Sequence, residues 1–311
     1  MTKNEVYCII RYAEIATKGK NRFVFEEQLM ENIKQLLNKL TIQYISLSNP
    51  RGRILLHLKS FDKSISYDYN SILDEYNLLI RRLRYVFGIA SYSIAIVIDD
   101  SINNIKQAIT SYFSAQLKNC TTFRISTQRI DKDAIPSIEL DKAIGEFVVN
   151  TFQKKVNLKH AELDLGIELL ENKAFLFTSK VVAFGGLPVG IEGTIIVSIE
   201  DKRSILAAIL MLKRGCKVIF FGEKQILDNY QSVLDNTIIY KTEPIYSAQN
   251  KQKNIQQILQ LMEKYNIPAI VTGAYFLEEK LFNQQIVQLN PIALLDDTEV
   301  NDQLHLFTDG A

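Results

Sequence analysis

Apolar and polar positions change their period several times along the chain, and each change predicts an element. Val6 to Tyr12 reads as a strand, and a basic loop follows from Thr17 to Arg22. Leu29, Ile33, Leu36, Leu37 and Leu40 then recur at the spacing of a helix with one buried stripe. Ile42 to Ser48 and Arg53 to Leu58 predict two strands joined through Asn49-Pro50-Arg51-Gly52, where every position suits a turn. A helix over about Ser71 to Val86, with Ile72, Tyr76, Leu79, Ile80 and Leu83 at helical spacing, completes a small α+β module with an antiparallel sheet.

The pattern restarts after Gly88 with a strand at Ser91 to Ile98 and a helix at Ser101 to Leu117, where Ile105, Ile109 and Leu117 share a face. A strand at Phe123 to Thr127 leads to a helix from about Ser137 to Phe152, with Ser137 as its N-cap. Ala161, Leu163, Leu165, Ile167 and Leu169 alternate with Glu162, Asp164, Gly166 and Glu168, which predicts one buried and one wet strand face. A strand at Lys173 to Ser179 pairs with it and ends at Gly185-Gly186-Leu187-Pro188-Val189-Gly190, a flexible punctuator that marks a domain boundary. Beyond it the grammar changes. Thr194 to Ile199, Lys202 to Lys213, Lys217 to Phe221, Ile255 to Tyr265 and Ile267 to Thr272 alternate strand and helix, so a parallel sheet covered on both faces is predicted.

Composition narrows the class without naming a chemistry. The 311 residues suit two or three modules. Hydrophobic and charged fractions of 47% and 23% argue for a folded chain. A formal net charge of +1 leaves no global basic field, so nucleic-acid binding would need cations gathered on one face. Cys8, Cys120 and Cys216 are far apart in apolar stretches and suit reduced core thiols. His57, His160 and His305 lack ligand partners at metal spacing and sit in strand or loop contexts, so core or surface roles are expected and no metal site is assigned. No apolar run approaches the roughly 20 residues that cross a bilayer, and the start of the chain lacks a secretory pattern; the expectation is a soluble, cytoplasmic protein.

The stretch Arg11-Tyr12-Ala13-Glu14-Ile15-Ala16-Thr17-Lys18-Gly19-Lys20-Asn21-Arg22 resembles the opening motif of the tRNA 4-thiouridine synthetase (tRNA sulfurtransferase) family. Phe123-Arg124 with Gln128-Arg129-Ile130-Asp131-Lys132, Val156-Asn157-Leu158-Lys159 and Gly185 to Gly190 resemble that family's THUMP segment. The resemblance implies an N-terminal ferredoxin-like α+β domain at 1–75, a THUMP domain at 76–184, and an α/β, Rossmann-like PP-loop domain at 191–311. It further implies binding of tRNA, at its acceptor end, with no membrane partner.

The third segment departs from the pattern. Counting back from Lys213-Arg214-Gly215, the family's Ser-Gly-Gly-x-Asp-Ser loop corresponds here to Ile199-Glu200-Asp201-Lys202-Arg203-Ser204, and only the last serine is kept. A phosphate loop uses glycines so that backbone N–H groups approach the anion at a helix N-terminus, and Glu200 and Asp201 put negative charge there instead. No cysteine follows Cys216, so no persulfide-carrying thiol and no catalytic residue is assigned. Ser198, Ser204, Phe221 and Gly273 remain as a residual nucleotide site.

Twelve cations are candidates for RNA: Arg11, Lys18, Lys20 and Arg22 in the opening motif, Arg51 and Arg53 at the turn, Arg81, Arg82 and Arg84 on one helix, and Arg124, Arg129 and Lys132 in the THUMP-like segment. Arginine and lysine suit phosphate contact without base identity. Arg11 and Glu14 can alternatively form a structural pair, and the arginines of Arg81 to Arg84 can be a solvated face. Three functions stay open. The first is a tRNA-binding protein without its own adenylation and without a cofactor. The second is an active sulfurtransferase using ATP and Mg with an external sulfur carrier. The third is a scaffold, with a homodimer or a separate modifying enzyme as partner.

Overall fold

The computed structural model describes residues 4–12, 14–17, 19–61, 68–131, 135–237, 245–246, 251–275 and 287–308. The strands are β1 (Asn4–Arg11), β2 (Ser46–Ser48), β3 (Ile54–Phe61), β4 (Ser91–Asp99), β5 (Thr122–Arg129), β6 (Lys155–Val156), β7 (Leu163–Leu170), β8 (Lys173–Phe177), β9 (Val181–Val182), β10 (Thr194–Ile199), β11 (Lys217–Gly222), β12 (Ile245–Tyr246), β13 (Ala269–Val271) and β14 (Val287–Leu289). The helices are α1 (Arg22–Lys39), α2 (Tyr69–Glu75), α3 (Asn77–Leu83), α4 (Ile102–Tyr112), α5 (Ser114–Asn119), α6 (Ser137–Phe152), α7 (Lys202–Lys213), α8 (Lys224–Asn229), α9 (Gln231–Thr237), α10 (Lys251–Tyr265) and α11 (Asp297–Thr308).

The chain forms two compact units, and neither is a continuous stretch. The first comprises Met1–Tyr12, Ile42–Ile80 and Ser91–Val182, and the second Ala13–Thr41, Arg81–Ala90 and Ala183–Ala311.

The first unit is built on one sheet in the order β2-β3-β1-β4-β8-β7-β5-β6, with β9 also paired to β4. Its pairs are antiparallel except β5 with β7 and β5 with β6, which are parallel. The β2–β3 hairpin turns tightly because Arg51 and Gly52 both take positive φ, 43° and 82°, and Arg53 N–H donates to the Pro50 carbonyl at 3.0 Å. The helix predicted over Ser71 to Val86 is divided at Tyr76, and the one predicted over Ser101 to Leu117 is divided at Phe113. Asp68 and Ser101 cap α2 and α4 with their side chains, whereas α6 has Pro136 at the cap position and Ser137 inside the helix, a shift of one residue from the expectation.

The second unit carries the predicted parallel sheet, in the order β12-β11-β10-β13-β14. One face packs Val197, Val218 and Val271 with Ile205, Ile209 and Leu212 of α7 and with Val300, Leu304 and Phe307 of α11. The other face packs Ile196, Phe221 and Ile270 with Ile258 of α10. Apolar residues on both faces explain why β10 reads as a continuous hydrophobic run.

The glycine punctuator is built into this unit instead of hanging as a free linker. Leu187 N–H donates to the Lys213 carbonyl at 2.9 Å and Gly190 N–H to the Gly215 carbonyl at 2.7 Å. At Gly186, φ is +80° and a Cβ would lie 2.3 Å from the Lys213 carbonyl oxygen, so only glycine fits. Helix α1 belongs here too: Asn32 Nδ2 donates to the Val189 carbonyl at 3.1 Å, and Lys39 Nζ to the Asp235 carbonyl at 3.0 Å. Among the described residues no helix is long and apolar enough to cross a membrane.

Candidate nucleic-acid interface

Strand register decides which side chains of the first unit share a face. The pairs Arg11↔Ser91, Ile9↔Ser93, Asp99↔Lys173, Glu168↔Phe175, Gly166↔Phe177, Gln128↔Glu168 and Arg124↔Asp164 place Arg11, Ser93, Phe177, Gly166, Glu168, Asp164 and Arg124 on one side. Leu165, Ile167 and Leu169 lie on the other side and are fully buried.

On that side a cleft of about 480 Å³ opens, lined by Arg124, Thr127, Asp141, Asp164, Glu168, Phe177 and Lys180 among others. Its lining mixes three carboxylates with two cations. Arg124 pairs with Asp164 and donates through Nη1 to the Leu158 carbonyl at 3.3 Å. Asp141 accepts the Thr127 N–H at 3.1 Å, which fixes α6 against β5. Arg124 Nε, Thr127 Oγ1 and Asp164 Oδ1 are buried with no partner among the described residues, so the cleft holds unused donor and acceptor capacity.

Below the cleft lies a buried charge triad. Arg11 Nε donates to Glu168 Oε1 at 2.6 Å and Arg53 Nε to Glu168 Oε2 at 2.9 Å; the side chains of Arg11, Arg53 and Glu168 are 7%, 15% and 5% exposed. Arg11 Nη1 also donates to Ser93 Oγ at 3.2 Å, and its guanidinium lies 5.1 Å over the Phe177 ring. A Cβ at Gly166 would stand 2.3 Å from that ring, so the glycine is what admits it.

This corrects three expectations. Arg11 and Arg53 are not surface cations, because a buried carboxylate occupies them. Arg11 pairs with Glu168 of β7. Glu168 itself, assigned to a wet face by the alternation, is 4% exposed because the two arginines cover it.

The other candidates are placed as follows. Arg51 is exposed and pairs with Asp131, whose other oxygen accepts the Glu171 N–H. Arg129 is exposed at the end of β5, and Arg81 is exposed on α3. Arg22 opens α1 and pairs with Glu26 at 2.5 Å. Lys18 and Lys132 lie outside the described residues, and for Lys20 only the backbone, in the short helical turn Gly19–Asn21, is described.

Arg82 and Arg84 depart from the expected RNA face. Arg82 donates to the Asp235 carbonyl and Asn236 Oδ1 at the end of α9, as a cation at a helix C-terminus does. Arg84 lies 5.6 and 5.1 Å over the rings of Tyr85 and Phe184. Lys180, Thr127 and Asp164 were not singled out by sequence reasoning; only the alternation through Asp164 and Glu168 hinted at them.

In the second unit the residual nucleotide candidates do converge at the carboxyl ends of the parallel strands. Ser198 pairs in register with Phe221, which is buried, and Ser198 Oγ donates to Glu200 Oε1 at 3.1 Å. Asp201 caps α7 through the Ser204 N–H at 2.9 Å, and Ser204 Oγ accepts the N–H groups of Glu200 and Asp201 at 3.0 and 3.1 Å while donating to the Asp201 carbonyl at 2.7 Å. A Cβ at Gly273 would lie 2.5 Å from the Ser204 nitrogen, so the loop after β13 sits directly on the head of α7.

Arg203, 4% exposed, donates to the carbonyls of Gly273, Ile292 and Leu295 at 3.0, 3.0 and 2.9 Å, reaches Asp297 at 3.3 Å and stacks 3.8 Å over Tyr275. Three N–H groups at this helix N-terminus, those of Glu200, Asp201 and Ser204, are thus engaged by the chain's own side chains.

Cys8, Cys120 and Cys216 are free and buried, as expected, and burial pushes the Cys8 thiol up to about 12. Among the described residues no cluster of His, Cys, Asp or Glu could hold a metal ion. His305 lies on α11, not in a strand or loop.

Residues 7–93 match the family model for the ThiI ferredoxin-like domain, and residues 99–179 the THUMP domain. A probable tRNA sulfurtransferase of Thermococcus kodakarensis is 31% identical over 274 residues, covering 83% of this chain and 68% of the relative. A second, from Mycoplasmopsis synoviae, is 35% identical over 215 residues, covering 68% and 50%. The chain therefore spans from half to about two thirds of the length of these relatives. Among solved structures, a Pyrococcus horikoshii protein superposes with a TM-score of 0.80 at 26% identity over 97% of this chain and 99% of that one. A 4-thiouridine synthetase in complex with RNA and bound ATP superposes with a TM-score of 0.75 at 20% identity over 97% and 84%, a likeness of fold.

Proposed function

Because the chain belongs to the tRNA sulfurtransferase family, we propose that it holds a tRNA through its ferredoxin-like and THUMP segments and leaves adenylation of that tRNA to another protein. The observation that carries this reading is the head of α7, where Asp201 and Ser204 engage the N–H groups of Glu200, Asp201 and Ser204 in bonds within the chain. A negatively charged cap repels a second anion at the same helix end, and the loop at Gly273 sits close against the head of α7. The RNA side is supported by the exposed Arg51 and Arg129 and by the cleft beside Arg124, a polar groove whose lining suits sugar and base edges of an unpaired tRNA end.

One observation favours the active-enzyme reading: Ser198, Ser204 and Gly273 meet at the strand ends where open α/β sheets take ligands. Calorimetry with Mg·ATP, with and without a tRNA transcript, followed by assay for AMP, separates the two. Tight, salt-sensitive tRNA binding with no heat from ATP supports the proposal. ATP binding with AMP release overturns it in favour of a sulfurtransferase supplied by an external carrier.

A further inference from the structure

The two family segments in the first unit are joined by more than the shared sheet. Three cations of the ferredoxin-like segment, Arg11, Arg51 and Arg53, are each bound to a carboxylate of the THUMP segment, Glu168 or Asp131. Glu168 is the hub. It receives Arg11 from the end of β1 and Arg53 from the turn that presents Arg51. It also lines the cleft that Arg124 and Lys180 line.

One carboxylate between a buried and a partly buried guanidinium leaves the group with a net positive charge, and Arg11 Nη2 has no partner among the described residues. Such an arrangement is a poor device for stability alone, since removing two ions from water costs more than a single carboxylate returns unless geometry is also needed. Its geometry is confined on every side, by the Phe177 ring under Arg11, by Gly166 making room for that ring, and by Ser93.

We propose that Glu168 is a positioning residue for RNA, holding β1 and the Arg51–Arg53 turn against the cleft beside Arg124 so that cations of both segments meet the RNA backbone as one fixed surface. The inference rests on the RNA-binding reading above. It has a consequence that simple electrostatics does not share. Removing the Glu168 charge makes the region more positive, so attraction to any polyanion should hold or rise, while affinity for folded tRNA should fall because the cations no longer keep their spacing.

The test compares wild type and Glu168→Gln for binding to a folded tRNA transcript and to a single-stranded homopolymer, over a range of salt. The expected result is a drop of about tenfold for tRNA, a homopolymer affinity unchanged or raised, and a salt slope for tRNA lower by about one per displaced phosphate contact. Arg53→Lys, which keeps the charge but loses the guanidinium geometry at Glu168 and leaves the Arg11–Glu168 pair, should show the same split to a smaller degree and carries the test if Glu168→Gln does not fold. Equal tRNA affinity in wild type and the folded variants, or parallel loss for both ligands, overturns the positioning role. A wild-type chain that fails to bind tRNA overturns the underlying reading, and this inference with it.

Discussion

Replacing Arg203 by leucine should destabilise the second unit by about 3 kcal/mol. The side chain is 4% exposed and its guanidinium serves three carbonyls, of Gly273, Ile292 and Leu295, at 2.9 to 3.0 Å. A hydrogen bond to a charged group contributes roughly 1.5–3 kcal/mol, and removing the donor strands acceptors that no longer face water. Three such bonds give an upper figure that relief of the buried charge reduces, so about 3 kcal/mol is the central expectation.

Urea denaturation followed by far-ultraviolet circular dichroism should show the shift. With a slope of about 2 kcal/mol per molar urea the midpoint of that unit falls by about 1.5 M. Arg203→Lys should recover less than half, because one ammonium cannot fork to three acceptors. Asp297→Asn should change little, its carboxylate being 59% exposed. A midpoint shift below about 0.5 M for Arg203→Leu would refute the reasoning and mean that the two loops are held by their own packing.

Two further outcomes follow from the first unit. Gly166→Ala puts a methyl 2.3 Å from the Phe177 ring and should cost about 1–3 kcal/mol in thermal or urea unfolding, with Phe177→Leu in the same chain restoring part of it; an unchanged midpoint would mean that the ring swings aside freely. Burial lowers the pKa of His57, with Glu5 and the Lys59 backbone opposing, while the ring stacks 4.2 Å from Tyr7. As pH falls the unfolded chain therefore takes up the proton first, so stability from this group is whole above about pH 6.5 and is lost as pH falls through the folded value. His57→Gln should flatten the decline in melting temperature between about pH 6.5 and 5, and an identical acid limb in both proteins would count against it.

The parts of this fold written in local periodicity were legible, and those that depend on distant partners were not. Thr194–Ile199 and Lys202–Lys213 were predicted to the residue, because a buried parallel strand is a solid apolar run and α7 is hydrophobic on its inner side. The alternation through Leu163 to Leu169 located β7 but misjudged Glu168, since periodicity tells which face a side chain takes and not what comes to cover it. Its cover is Arg11, 157 residues earlier in the chain. Arg82 and Arg84 looked like a basic track for the same reason; Asn236 and Phe184, which hold them, are far away in sequence. The departure of Ile199 to Ser204 from the family's loop pattern was visible in the sequence, whereas the bonds by which Ser204 engages the neighbouring N–H groups depend on the fold of the chain around it.

The division of the chain bears on its synthesis. The segment 13–41 leaves the ribosome early, yet it belongs to the unit completed only by residues from 183 onward. At usual translation rates the helix carrying Leu29, Ile33, Leu36 and Leu37 waits on the order of ten seconds for most of its companions, with an oily stripe on view. Nascent chains of this protein should therefore be clients of the holding chaperones that meet emerging polypeptides, and a genetic truncation before residue 183 would leave that helix as a lasting target for them and for proteases.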